Sequence, residues 1–235
     1  MKKSLLILLI PALVALAGCD RRNIHSVIKE MAEAPVDTTG FESRSLHTND
    51  FSSVEIACFS DITFHQTAPS EMPHIILSAP AEVLENVRCK VLEGELSLSL
   101  NNRYKMPDKA VLVAHIYAPF VNKFVMSGGK CLRLGKLKVA SPLEIQVYGL
   151  AAITAEQLEA HELRLSLNGA GSLNLQGIQT GQLIAATNGD GDIILSGNCE
   201  SANLCVNGNG LLHLKGLKAQ QPLHLTTNGK VKVER

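Results

Sequence analysis

A turn in which Gly follows a residue that is most often Asn returns about every twenty residues from Ser127 to the end of the chain. Successive turns are separated by 21, 20, 20, 19 and 21 residues. A repeat this short indicates coils stacked on one another, because each unit is too small to bury an apolar face alone. The turns are Ser127-Gly128, Tyr148-Gly149, Asn168-Gly169, Asn188-Gly189, Asn207-Gly208 and Asn228-Gly229.

Apolar residues alternate with polar ones on both sides of each turn, in the same register in every repeat. Examples before the turns are Leu143, Ile145 and Val147, then Leu163, Leu165 and Leu167. A period of two indicates strands with one buried face, and we expect two or three such strands in each coil. The pattern predicts an all-β fold, a right-handed parallel β-solenoid with coils of about 20 residues.

The turn residues themselves predict the geometry of one corner of the solenoid. A tight bend with positive φ is accessible to Gly, so the glycines of the turns are expected at equivalent corner positions. The Asn side chains beside them would then stack as a ladder of amides, which gives these residues a structural role. The residues concerned are Asn168, Asn188, Asn207, Asn228, Gly169, Gly189, Gly208 and Gly229.

The first twenty residues resemble a bacterial lipoprotein signal. Lys2 and Lys3 precede an apolar run that is too short to span a bilayer comfortably, and the run ends in Leu16, Ala17, Gly18 and Cys19. The resemblance implies cleavage after residue 18 and lipidation of Cys19, which would hold the protein on a membrane. Asp20 resembles an inner-membrane retention signal, so the periplasmic face of the inner membrane is favoured and the outer membrane is the alternative.

The rest of the chain divides into a tether and two β regions. Residues 19–40 read as the lipidated cysteine and its tether, and residues 41–126 as an irregular β region that caps the solenoid. Residues 127–235 carry the regular repeats. Within the cap, the stretch from Ala81 to Val91 has apolar residues at helical spacing, and Glu93-Gly94 predicts a turn into the strand at Leu96.

Several segments in the order found here resemble the GIN domain family, the auto-transporter adhesin head family, from Phe41 to Arg235. The resemblance implies an exported, often lipid-anchored bacterial β-solenoid with an adhesin-like role. The segments are Phe51 to Ile56, the strand pair from Val91 to Leu100, Ile116 to Pro119 leading into Met126 to Gly129, and the successive Asn-Gly-x-Gly coils.

The cysteines and histidines show no spacing typical of a metal site, and the cysteines allow few disulfides. Besides Cys19 the chain has Cys58, Cys89, Cys131, Cys199 and Cys205, an odd number that allows at most two disulfides. The pair Cys199 and Cys205 is the most plausible bridge, and five reduced thiols are the alternative. The eight histidines are scattered without metal-ligand spacing, so no metal site and no cofactor are predicted.

Asp190 and Asp192 are the only carboxylates in the repeats that approach a functional pattern. They resemble half of a calcium-binding glycine-aspartate repeat, but the equivalent positions of neighbouring coils lack carboxylates. They could also form the carboxylate pair of a polysaccharide-processing enzyme, which is the least favoured alternative.

Composition excludes one further class of function. The formal net charge is zero and aromatic residues make up only 4% of the chain, a composition that does not fit a nucleic-acid-binding surface. We therefore predict a lipid-anchored, non-enzymatic module of the cell envelope, whose partners are the membrane and an unknown envelope protein or glycan. The first alternative is a structural or stress-associated scaffold with a protein partner.

Overall fold

The computed structural model describes residues 30, 32–108 and 110–235, which are 66% strand and 4% helix. Sixteen strands form one continuous sheet, and a short helix, α1 (Ala81–Asn86), lies among the N-terminal strands. Residues 30, 32 and 33, which precede the first strand, are also helical. The strands of the N-terminal half are β1 (Glu42–His47), β2 (Ser53–Ala57), β3 (Ser60–Gln66), β4 (His74–Ala79), β5 (Val87–Leu92), β6 (Glu95–Leu100), β7 (Leu112–Ala118) and β8 (Lys123–Ser127). Those of the C-terminal half are β9 (Cys131–Lys138), β10 (Leu143–Gly149), β11 (Ala152–Gly169), β12 (Ser172–Gly189), β13 (Asp192–Gly208), β14 (Leu211–Ala219), β15 (His224–Gly229) and β16 (Lys232–Glu234).

The long strands β11, β12 and β13 each follow the chain around a whole coil. β11 pairs with β12 in parallel from Ala152, opposite Ser172, to Asn168, opposite Asn188. β12 pairs with β13 in the same way, with one irregularity between Leu175 and Ile178 that shortens the offset to 19 residues. The predicted β-solenoid is therefore confirmed, with about six turns.

The strands form two broad faces around a common core. We call face A the part of the sheet formed by β3, β7, β9 and the N-terminal parts of β11, β12 and β13. Face B is the part formed by β2, β6, β8, β10 and the C-terminal parts of β11, β12 and β13. Alternate residues of both faces point inward, as predicted. On face A, Ile153 is fully buried, and on face B, Val147 is fully buried. Their burial stabilises each coil by roughly 2 kcal/mol per side chain.

The N-terminal half covers the first coil with antiparallel strands. β4 pairs antiparallel with β7, β1 pairs antiparallel with β4, and β5 pairs antiparallel with β6. α1 buries Val83 and Leu84 in the core. These additions give the N-terminal end a mixed sheet that differs from the parallel stack of the repeats.

The helical pattern predicted from Ala81 to Val91 is only half right. The helix ends at Asn86, and the residues from Val87 to Leu92 form β5 instead. Val87 and Val91 are β-branched and suit a strand, and the two-residue turn allows β5 to pair with β6. Glu93 and Gly94 of that turn have φ of 50° and 78°. Tertiary pairing therefore decides the conformation of this segment.

Candidate functional site

The Asn residues of the repeat corner form a continuous hydrogen-bonded ladder. The Asn188 Nδ2 donates to the Asn168 Oδ1 at 3.2 Å, the Asn207 Nδ2 to the Asn188 Oδ1 at 3.1 Å, and the Asn228 Nδ2 to the Asn207 Oδ1 at 2.7 Å. The preceding coil has Tyr148 at this position, whose hydroxyl donates to Gln146. The ladder amides are occupied by one another, and this arrangement stabilises the corner.

Asp190 and Asp192 also hold neighbouring coils together. The Asp190 Oδ1 accepts the backbone N–H of Asn209 at 3.1 Å and its side-chain amide at 2.7 Å. The Asp192 Oδ1 accepts the backbone N–H of Leu211 at 2.8 Å. Within the described part of the chain no group of three or more His, Cys, Asp or Glu side chains is arranged to hold a metal ion. These carboxylates satisfy backbone donors at the corner.

All five cysteines of the described region are free thiols. Burial raises the pKa of the Cys58 and Cys89 thiols to about 11, and it also raises that of Cys199. Cys199 is buried, whereas Cys205, on the same strand, is half-buried. The disulfide between these two residues stays a prediction.

Four of the eight histidines lie together on face A and its antiparallel extension, which sequence reasoning missed. The pairing of β1, β4, β7 and β3 places His47, His74, Tyr117 and His65 in one row. The Tyr117 ring stacks between His74 at 4.4 Å and His65 at 4.5 Å between centroids, and His47 lies 6.0 Å from His74. Each of these residues occupies an outward strand position, but only the strand register shows that the positions adjoin.

A hydrogen bond joins this row to a further histidine. The His65 Nε2 and the His115 Nδ1 are 3.1 Å apart. Burial, and secondarily the charge of His115, lower the pKa of His65 below its ordinary value of 6.5. The rings of the row cover one another's faces, so the row does not offer an open aromatic platform for a sugar ring.

The C-terminal histidines have different surroundings. The His213 Nδ1 lies 2.9 Å from the Glu234 Oε2, and Lys232 lies 2.5 Å from the other oxygen of the same carboxylate. Lys232, and secondarily His213, lower the pKa of Glu234 to about 2. His213 is thus half-buried against an acid, while His224 is exposed on β15.

A polar groove of about 530 Å³ lies along the outward side of the β5–β6 hairpin. Arg88 pairs across the hairpin with Ser99, and Lys90 with Ser97. The Arg88 guanidinium also donates to the Asn101 Oδ1 at 3.1 Å. The groove is lined by Arg88, Lys90, Leu92, Glu93, Glu95, Ser97 and Ser99.

Arg88 and Lys90 are the two cations of the groove. Among the residues that the structure describes, neither Arg88 nor Lys90 forms an ion pair. Both extend from an edge strand beside two serine hydroxyls, and the acids Glu93 and Glu95 lie at the turn end of the groove. The cationic end can therefore bind an anionic group, with the serines as additional donors.

An apolar pocket of about 290 Å³ adjoins the same turn. Gly94 of the turn lines it, together with Phe51 and Phe120, and Phe120 remains 60% exposed. Leu92, which lines the neighbouring groove, is 74% exposed. The turn is thus flanked by a polar groove and an apolar pocket, a combination suited to binding.

The residues of the predicted lipoprotein signal lie outside the described residues. They are Leu16, Ala17, Gly18 and Cys19. Within the part that is described, no helix is long and apolar enough to cross a membrane.

The comparisons with known proteins agree with this architecture. The family model described as "Putative auto-transporter adhesin, head GIN domain" matches residues 50–234. No curated protein matches the chain.

Solved structures of bacterial proteins share the fold at low sequence identity. A "putative lipid binding protein" from Parabacteroides distasonis superposes with a TM-score of 0.64 at 14% identity, covering 83% of this chain and 96% of that one. A "putative adhesin" from Bacteroides fragilis has a TM-score of 0.61 at 16% identity, covering 82% and 96%. A second "putative adhesin" from Parabacteroides distasonis has a TM-score of 0.54 at 13% identity, covering 83% and 96%. At such identities the likeness is one of fold.

Proposed function

This chain belongs to the GIN domain family of auto-transporter adhesin heads, and on that premise we propose that it is a lipid-anchored, non-enzymatic binding module of the bacterial cell envelope. The adhesin-like family supports a place at the cell surface or in the envelope. The lipid anchor is Cys19, and Asp20 favours the periplasmic face of the inner membrane over the outer membrane.

The observation that carries the proposal is the groove with its two cations, which form no ion pair with any residue that the structure describes. Arg88 and Lys90 lie at successive outward positions of β5, with the hydroxyls of Ser97 and Ser99 opposite them. A carboxylate or phosphate entering between them would gain charge-assisted hydrogen bonds without displacing a protein carboxylate. The ligand is therefore a polymer of the envelope, glycan or protein, that carries anionic groups.

An edge strand with cationic side chains also has a purely structural explanation, since Lys on an edge strand discourages pairing with another chain. The groove distinguishes the two explanations. A charge that only prevents edge pairing needs no neighbour other than solvent. The cations here instead adjoin serine donors, and Asn101 orients Arg88. A positioned guanidinium is typical of recognition.

The test measures retention of the full chain, purified in detergent, on sacculi, lipopolysaccharide and a panel of charged and neutral polysaccharides, and scores released sugar fragments in the same tubes. We expect retention on an anionic polymer without release. The double variant Arg88→Ala/Lys90→Ala should reduce retention about tenfold, and added salt should weaken binding of the unchanged chain.

The matched control is Lys136→Ala/Lys218→Ala, which removes the same charge from two exposed lysines remote from the groove. Equal loss of retention in both double variants would indicate a nonspecific charge effect and contradict the groove as the site. Release of fragments that is lost in Asp190→Asn/Asp192→Asn would instead favour the alternative of a polysaccharide-processing enzyme.

A scaffold with a protein partner is the other candidate, and the apolar pocket favours it. Phe120 and Leu92 expose large apolar side chains on either side of one turn, and a protein partner could bury both. If Phe120→Ser abolishes capture of an envelope protein while retention on polymers is absent throughout, the scaffold function replaces the binding module.

A further inference from the structure

A buried ion cluster lies on face A, where β3 adjoins β9. Asp61 and Lys130 are each only 7% exposed, and the Lys130 Nζ is 2.6 Å from the Asp61 Oδ2. The guanidinium of Arg133 donates to both oxygens of the same carboxylate. One buried carboxylate is therefore shared by two cations, and the remaining N–H groups of those cations need other acceptors.

Residues 32–34 of the N-terminal segment supply these acceptors. The Lys130 Nζ donates to the backbone carbonyl of Ala34 at 2.5 Å, and the Arg133 Nη2 donates to that of Ala32 at 3.0 Å. The Ala32 side chain is 7% exposed and packs against Cys131 and Ala152, as a small cluster separate from the main core. This stretch, part of the predicted tether, is thus held on the solenoid by charge-assisted hydrogen bonds and by packing.

The position of Cys131 shows what the segment covers. Its neighbour Leu132 points into the core, so Cys131 lies on the outward side of β9. Its equivalents in the next coils, Ala152 and then Ser172, occupy the same outward row, and Ser172 is half-exposed. Cys131 is nevertheless only 1% exposed. Residues 32–34 therefore account for the difference.

We infer that residues 32–34 form a docked strap, which fixes the N-terminal segment to face A through Asp61, Lys130 and Arg133 and shields Cys131. The strap leaves only the residues before it to link the fold to Cys19. If the chain is lipid-anchored as proposed above, on which this step rests, face A is the side held toward the membrane. The groove of β5 and β6 belongs to the face B side and is left accessible to a ligand.

The strap can be tested by the alkylation rate of each cysteine in the full chain, measured with N-ethylmaleimide and peptide mass spectrometry. With all five thiols kept reduced, we expect Cys131 of the unchanged protein to react as slowly as the buried Cys58 and Cys199, and more slowly than the half-buried Cys205. Ala32→Arg adds a long cation at the buried contact beside Lys130 and Arg133. It should release the strap and raise the Cys131 rate at least about tenfold, with Cys58 and Cys199 still protected.

The matched control is Ala34→Arg, the same substitution at an exposed side chain whose carbonyl still accepts from Lys130. It should leave the Cys131 rate unchanged. Asp61→Asn provides an independent route to release, since it leaves both cations without their carboxylate.

Rapid alkylation of Cys131 in the unchanged chain, at the rate of Cys205, would overturn the strap even if a variant failed to fold. Equal Cys131 rates in Ala32→Arg and Ala34→Arg would also overturn it. None of these rates depends on a ligand or on lipidation, so failure of the strap and failure of the proposed function are distinguishable.

Discussion

The regular coils and the N-terminal half share one sheet but place side chains beside one another by different rules. In β11, β12 and β13 each outward residue adjoins its own equivalent, as Asn188 adjoins Asn168 and Asn207. In the N-terminal half, antiparallel pairing brings unlike residues into register, as with His74 and Tyr117. Repetition produces ladders of similar residues, whereas irregular pairing assembles the histidine row, the ion cluster and the groove.

The difference has a physical origin in the spacing between coils. Adjacent parallel strands lie about 4.8 Å apart, so a charge repeated in every coil would face its own copy and destabilise the stack. The repeats accordingly use neutral amides at the ladder positions. The ion cluster of Asp61, Lys130 and Arg133 forms where β3 of the N-terminal half adjoins β9, the first strand of the C-terminal half.

The largest expected effect comes from a corner glycine of the repeats. A Cβ added at Gly208, where φ is +131°, would lie 1.8 Å from the carbonyl oxygen of Gly189, and the contacting atoms are backbone, which cannot move aside as the end of a flexible side chain could. Gly208→Ala should therefore lower the free energy of unfolding by about 4 kcal/mol or prevent folding. Chemical denaturation followed by circular dichroism measures the loss.

The matched substitution in the N-terminal half is Gly94→Ala, which also has positive φ but has no atom within 4 Å of the added Cβ. Only the conformational strain of a non-glycine residue at positive φ applies, so we expect the free energy of unfolding to fall by about 1–2 kcal/mol. Similar losses at the two positions would contradict the tight stacking of the corner.

The Asn ladder should contribute less to the free energy of unfolding than the glycines that follow each Asn. Asn188→Ala removes one donated and one accepted hydrogen bond between coils and should cost about 1–2 kcal/mol of unfolding free energy. The control Asn203→Ala changes an exposed outward Asn of the same face that lies outside the ladder, and it should cost less than about 0.5 kcal/mol. If both variants lose the same unfolding free energy, the ladder makes no specific contribution to stability.

The smallest expected effect is a selective response of the N-terminal half to acid. The pKa of His65 is lower in the folded protein than its ordinary value of 6.5, so the unfolded chain binds more protons just below that pH. The stability associated with neutral His65 is thus present above about pH 6.5 and is lost as the pH falls toward the folded pKa. Hydrogen exchange at about pH 7.5 and about pH 5 should show faster opening of β3 and β7 at the lower pH, with little change in β12.

The histidines around His65 provide the controls. Replacing His65 and His115 together by Gln should reduce the pH response of β3 and β7, because the hydrogen-bonded pair is removed. His224→Gln changes an exposed histidine on β15 and should leave the response intact. An equal acid response throughout the sheet would show that the effect does not arise at this histidine row.

Much of the regular half could be predicted because its strands and turns follow patterns that neighbouring residues of the sequence display. Alternation identified inward residues such as Leu165 and Val147, and the spacing of the turns set the offset between coils. The end of α1 was predicted wrongly because Val87 and Val91 satisfy a helical spacing and a strand equally well. Pairing with β6 decided between them, and that pairing is a contact the local pattern does not contain.

The sequence by itself determined the all-β class, the coil length, the corner residues and the resemblance to the GIN domain family, since each depends on a period or an order along the chain. Only the tertiary structure decided that His47, His65, His74 and His115 meet, that Arg88 and Lys90 face Ser97 and Ser99, and that residues 32–34 lie on Lys130 and Arg133. The physical reason is register. A shift of one residue between two strands moves every side chain to the other face, and the register of the irregular strands is set by the packing of the whole fold.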